Sequence, residues 1–260
     1  MDIILGTTAI TAFISSFLTL CLAIVIYLGS KEFSPKALGV ACFFISLWIA
    51  SRGILYATPQ EAIAFATMMN KISFFVGTLV TASFVFFALT YPEKTQATEK
   101  QSLIIGLVVL ALLPVYFFED LFLGKAIYIG DLGGLQRFAW GQGPFLPYYD
   151  LLFFGLWIWG LVVIFLNAQK ELGEKRSRMF FIFYTMIIGI VPVGFVSLFL
   201  PRVFNIFTYD WVSPFTLSIW VGFISYAVIK LKDMHVRYEL SELYILAASL
   251  LLLINIFLPY

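Results

Sequence analysis

Residues 212–231 read VSPFTLSIWVGFISYAVIKL, a run of twenty residues in which Lys230 is the only charge. A helix rises about 1.5 Å per residue, so a run of about 20 spans the roughly 30 Å hydrocarbon core of a bilayer. A membrane strand needs only about 9–11 residues and alternates apolar with polar. This run does not alternate. In hydrocarbon every backbone N–H and C=O must find a partner inside its own segment or a closed barrel, so a continuous apolar run of this length is a helix.

Seven more runs of the same kind lie outward from it, at about 3–28, 37–57, 64–91, 102–118, 148–168, 179–200 and 243–258. The composition agrees: 62% of the 260 residues are hydrophobic and 12% charged, against about 25% charged in soluble domains. The expected fold is an all-α, polytopic integral membrane bundle of about eight transmembrane helices. The longest polar interval, 119–147, alternates around Asp131-Leu132-Gly133-Gly134. That pattern predicts a short extracellular β-hairpin at 125–140, set as a lid over the bundle. The chain divides into a seven-helix transmembrane bundle over 1–231, and a cytoplasmic linker with an eighth helix over 232–260.

Charge alternates between successive loops. The links after the first, third, fifth and seventh spans carry eleven basic residues: Lys31, Lys36, Lys94, Lys100, Lys170, Lys175, Arg176, Arg178, Lys230, Lys232 and Arg237. The intervening links carry Lys125, Arg137 and Arg202. Basic short loops stay in the cytoplasm, so the expected arrangement is multi-pass in the inner (plasma) membrane, N-terminus outside. A formal net charge of +1 gives no field suited to nucleic acid. Cys21 and Cys42 sit within apolar runs and read as small core residues. His235, the single histidine, cannot assemble a multi-histidine metal or haem site. A retinal Schiff base would need a lysine at mid-membrane in span 212–231, and Lys230 is at its end. No cofactor and no metal are expected.

Carboxylates are missing from the middle of every span, which argues against a proton relay. The deepest charges are Arg52 and Lys71, at the outer ends of the second and third spans. They either snorkel or pair with nearby Glu61, or they edge an outward-facing ligand pocket. Trp48 lies one helical turn from Arg52 and can share its face. Tyr149 and Asp150 open the fifth span beside the 119–147 lid. The candidate ligand-binding set is therefore Arg52, Lys71, Trp48, Asp150 and Tyr149, between the second, third and fifth spans. No Ser/His pair, paired aspartates or metal set offers catalysis.

The segment LPRVFNIFTYDWVSPFTLSIWVGFISYAVIKLKDMHVRYELSE resembles the close of the N-terminal seven-transmembrane region of bacterial sensor histidine kinases. Tyr226, Ala227 and Val228, then Lys230, then Asp233, Met234 and His235 stand where that family has Tyr-Ala-Ile/Val, a basic residue and a Leu-x-Asp-Ile-Arg-like linker. Trp48, Asn70-Lys71, Tyr91-Pro92 and Gly143-Pro144 resemble family positions more loosely, and His235 stands where Arg is commoner. The resemblance covers about 10–242. It implies a membrane-embedded sensory, signal-transducing module of two-component systems, with Tyr226, Lys230 and Asp233 as signal linker. It also implies a homodimer and an extracellular or membrane-soluble ligand. Residues 1–260 hold no kinase core, so the chain itself is not expected to be an enzyme. A carrier or channel for an apolar or lipid-like solute is the alternative. An eighth crossing would place Tyr260 outside; the expectation is a native reading frame that continues into a ninth span and a kinase-like region.

Overall fold

The computed structural model describes residues 6–91, 96–118, 121–132, 135–204, 206, 209–231 and 239–257. Among the described residues there are eight helices: α1 Thr7–Gly29, α2 Phe33–Tyr56, α3 Ile63–Thr90, α4 Gln96–Phe117, α5 Leu146–Lys170, α6 Gly173–Val203, α7 Val212–Leu231 and α8 Glu239–Phe257. α1, α2, α3, α5 and α6 are each long and apolar enough to cross a membrane; α4, α7 and α8 contain shorter apolar stretches. The chain is an all-α membrane bundle.

The polar links are shorter than hydropathy alone predicts. α6 begins at Gly173 rather than near 179 because KELGEKRSR is mostly helical. Glu174 and Arg178 form an i,i+4 ion pair there, which supports a polar first turn. α4 likewise begins at Gln96, ahead of its apolar run. α3 stops at Thr90 because Tyr91 precedes Pro92: its backbone is extended (φ −102°, ψ 133°), as the proline ring requires.

Five helices form a closed ring in the order α2, α3, α5, α6, α7 and back to α2. α1 and α8 pack outside this ring against α7, α1 also covering α2, and α4 packs against α3. Small residues let the axes approach. A Cβ on Gly39 would meet Tyr27 Cβ at 3.0 Å, and one on Gly222 would meet Ile245 Cγ1 at 2.5 Å. With no hydrophobic drive between helices in lipid, such close packing and interhelical hydrogen bonds hold the bundle. Ser16 Oγ donates to the Ser46 carbonyl (2.8 Å), Ser46 Oγ to that of Ser16 (3.0 Å), and Asn255 Nδ2 to Thr11 Oγ1 (2.7 Å). Cys42 is buried as expected, but Cys21 is exposed on the perimeter.

α6 does not keep α-helical register. It passes through a π-helical turn at Phe195–Phe199 before ending in Leu200–Val203. Pro201 has no N–H to return to the Ser197 carbonyl, so the α ladder is broken there.

The polar interval contains the hairpin. β1 Leu123–Leu132 pairs antiparallel with β2 Leu135–Gln142, slightly longer than the predicted 125–140. It lies across the ends of α2 and α3: the Ala126 N–H donates to Thr67 Oγ1 at 2.9 Å, and Ala126 and Phe138 pack with Leu55, Ala66 and Met69.

Candidate functional site

The five-helix ring encloses a cavity just below the hairpin, with about 50 Å³ of free space. That holds a few waters at most, well below the roughly 300–1,000 Å³ of sites for drug-sized ligands. Its walls are aromatic. Trp48 comes from α2, Phe74 from α3, Tyr149, Phe153 and Trp157 from α5, and Trp140 closes it from β2. Tyr149 stacks on Phe153 (5.8 Å between centroids, 26°) and meets Phe74 edge-on at 5.2 Å. Trp157 donates its indole N–H to Thr81 Oγ1 at 3.2 Å and stacks on Phe84 at 4.8 Å. Such ring pairs each contribute about 0.5–1.5 kcal/mol beyond the area they bury, so the walls brace one another.

One end of the cavity is polar. Arg52, 4% exposed, is ion-paired with Asp210 in the turn preceding α7. Its Nη1 donates to Asn70 Oδ1 at 3.5 Å, and its guanidinium carbon lies 5.6 Å from the Tyr56 ring centre. Ser197 Oγ donates to Asp210 Oδ1 at 2.7 Å and lies 2.6 Å from Ser213 Oγ. The π turn of α6 is what brings Ser197 to this place. The Tyr56 hydroxyl donates to the Asp210 carbonyl at 3.4 Å. Arg52 Nε has no hydrogen-bond partner among the described residues. A buried charged donor left unmatched is costly, and here it belongs to a cavity-lining side chain.

The sequence-predicted residues separate into groups. Arg52, Trp48 and Tyr149 line the cavity together. Lys71 is buried at the start of α3 but is not in the lining. Asp150 pairs with Arg202, whose Nη1 also donates to the Leu146 carbonyl at 3.4 Å. Glu61 is exposed, and the partner of Arg52 is Asp210 instead. Tyr226 is half-buried on α7; Asp233, His235 and the side chain of Lys230 lie outside the described residues. Sequence reasoning missed Asp210, Ser197 and Trp140, and named Asn70 only as a family-like position beside Lys71. Only Trp140 had a readable signal: in LQRFAWGQ it alternates with Phe138, which puts both on one face of β2.

The cavity has the parts of a binding site: a braced aromatic wall, a self-neutralised ion pair and a spare donor. A profile for the N-terminal 7TM region of histidine kinases matches residues 11–236. The chain belongs to this family. No curated protein and no solved structure matches it. As a 7TM region of histidine kinases it is a membrane sensor module, not a catalytic domain. The matched stretch runs from α1 through α7. α8 follows it.

Proposed function

We propose that this chain is the ligand-sensing input of a histidine-kinase-like receptor and that the aromatic cavity is its sensory site. The observation that carries this reading is the Arg52–Asp210 pair at the end of a cavity bounded by all five ring helices. Because the closed cavity holds a few waters at most, a ligand entering it must part walls contributed by α2, α3, α5, α6 and α7 at once. It can therefore bias the relative positions of these helices by its differential contacts in two arrangements. α7 carries any such shift toward Tyr226, Lys230 and Asp233, the proposed signal linker. The eleven basic link residues support a plasma-membrane orientation with the hairpin and the N-terminus outside. Family membership favours this sensor over a carrier.

The test is a kinase reporter. The chain is joined to a histidine-kinase core, and autophosphorylation is measured with and without extracts of the growth medium and membranes. Arg52→Met combined with Asp210→Leu, which leaves no unpaired buried charge, should abolish the response while insertion and folding stay normal. An unchanged response in that double variant places the sensory site elsewhere.

A further inference from the structure

A second, larger recess lies on the perimeter of the bundle. It has a volume of about 500 Å³ and runs between α4 and the first half of α5, within the usual range of small-molecule sites of about 300–1,000 Å³. Val108, Leu112, Val115, Leu152 and Leu156 line it, and the lining is almost wholly apolar. Its rim opens on the outside of the bundle: Tyr148 is 68% and Leu151 75% exposed. Tyr149 lines this recess and the central cavity alike, so one phenol ring is the partition between them. Beside it, Tyr116 and Phe122 complete the partition, at 6.1 and 5.3 Å from the Tyr149 ring. On the cavity side the Tyr149 hydroxyl rests over Gly77, where a Cβ would lie 3.3 Å away.

We propose that the ligand is an uncharged single-chain amphiphile dissolved in the bilayer, admitted sideways between α4 and α5, with Tyr149 as the gate. This rests on the cavity being the sensory site. The recess accommodates the apolar chain, and the cavity takes the head once Tyr149 swings aside and the two spaces join. The head is a neutral hydrogen-bond acceptor, a carbonyl or hydroxyl oxygen. It receives the spare Arg52 Nε donor, whereas an anion would face Asp210 and a cation would face Arg52. Lipid is the source because the recess opens where α4 and α5 meet hydrocarbon. A water-borne molecule would have to pass the hairpin, where Trp140 closes the cavity.

The probe is a long-chain fatty alcohol carrying a diazirine near its tail. The full-length protein is placed in phosphatidylcholine nanodiscs, irradiated with the probe and mapped by peptide mass spectrometry. Labelling should concentrate on the α4 and α5 recess, saturate, and be competed by the unmodified alcohol. Gly155 lines the recess, and a Cβ there meets nothing within 4 Å. Gly155→Trp should therefore fill it without disturbing the bundle and lower labelling by at least about tenfold, a loss of about 1.4 kcal/mol of binding. Unchanged thermal unfolding of that variant keeps the loss specific. Labelling that never saturates and spreads evenly over lipid-facing positions such as Leu103 and Ile158 overturns the proposal. So does labelling of cavity residues that survives Gly155→Trp. Saturable recess labelling in a protein whose kinase reporter ignores Arg52→Met combined with Asp210→Leu would keep the lipid site and reject the sensory reading. A reporter that needs the Arg52–Asp210 pair but a recess that never saturates would do the reverse.

Discussion

Arg52 of α2 and Asp210, in the turn before α7, form a buried ion pair that ties two members of the ring together at the polar end of the cavity. Asp210 is held from a third helix by Ser197 and from α2 again by the Tyr56 hydroxyl. Taking two charges out of water is favourable only when such additional hydrogen bonds accompany the pair.

Removing one partner is therefore expected to be far worse than removing both. Asp210→Ala leaves the Arg52 charge buried and should destabilise the bundle by about 3–5 kcal/mol. Arg52→Met combined with Asp210→Leu fills the same space without charge and should recover most of that loss. Reversible unfolding in mixed micelles measures both, and a double variant no more stable than Asp210→Ala would contradict the assignment. The Asp150–Arg202 pair is partly exposed, its side chains at 23% and 14%, so Asp150→Ala should cost only about 1–2 kcal/mol.

Packing between α6 and α7 yields a second expectation. Gly189 faces the Trp220 indole so closely that an added Cβ would fall inside the ring's van der Waals envelope. Trp220 in turn lies 4.4 Å from Phe84 and 5.7 Å from Trp157. Gly189→Leu should push Trp220 into that cluster, destabilise by about 1–3 kcal/mol and quench or shift tryptophan emission. A variant with wild-type stability and emission would show that α6 and α7 are not in this contact.

The spans were legible because hydropathy over about 20 residues depends only on local composition. The hairpin was legible for the same reason, since its alternation is local. The partner of Arg52 was not. Glu61 was the near carboxylate in sequence, whereas Asp210 reaches Arg52 only because α7 closes the ring against α2. Asp150 stood in one candidate set with Arg52, yet it pairs with Arg202 rather than joining the cavity. The π turn that presents Ser197 has a cause readable in sequence, Pro201, but its direction depends on the Asp210 turn it meets. Helix starts at Gln96 and Gly173 were missed because polar first turns carry no hydropathy signal; the Glu174–Arg178 spacing was the available clue.

Orientation is tested by labelling from outside intact cells, in a background with Cys21→Ala and Cys42→Ala. Asp131→Cys in the hairpin should react with a membrane-impermeant maleimide. Lys175→Cys in the α5–α6 region should react only after permeabilisation. Gly173 is unsuitable for the second position because its φ of +61° strains any side chain. The opposite labelling pattern would invert the bundle and move the cavity to the cytoplasmic side.

The last expectation concerns α8, which follows the family-matched stretch yet is packed onto the bundle. Its contacts are specific. Tyr244 and Thr19 hydroxyls are 2.7 Å apart, Asn255 donates to Thr11 at the other end of the same interface, and Gly222 of α7 lies beneath Tyr244 and Ile245. Interhelical hydrogen bonds in membranes average only about 0.6 kcal/mol, so the fit over Gly222 should matter more than either bond. Tyr244→Phe should leave α8 docked. Gly222→Leu should displace it, since the new side chain needs the space that Ile245 and Tyr244 occupy. A cysteine pair, Thr11→Cys with Asn255→Cys, reports the docking: oxidation should crosslink it efficiently in the parent and in Tyr244→Phe, and at least about tenfold more slowly with Gly222→Leu, since loss of about 1.4 kcal/mol of docking energy is enough for that factor. Equal crosslinking in all three would mean that α8 is held by contacts other than these.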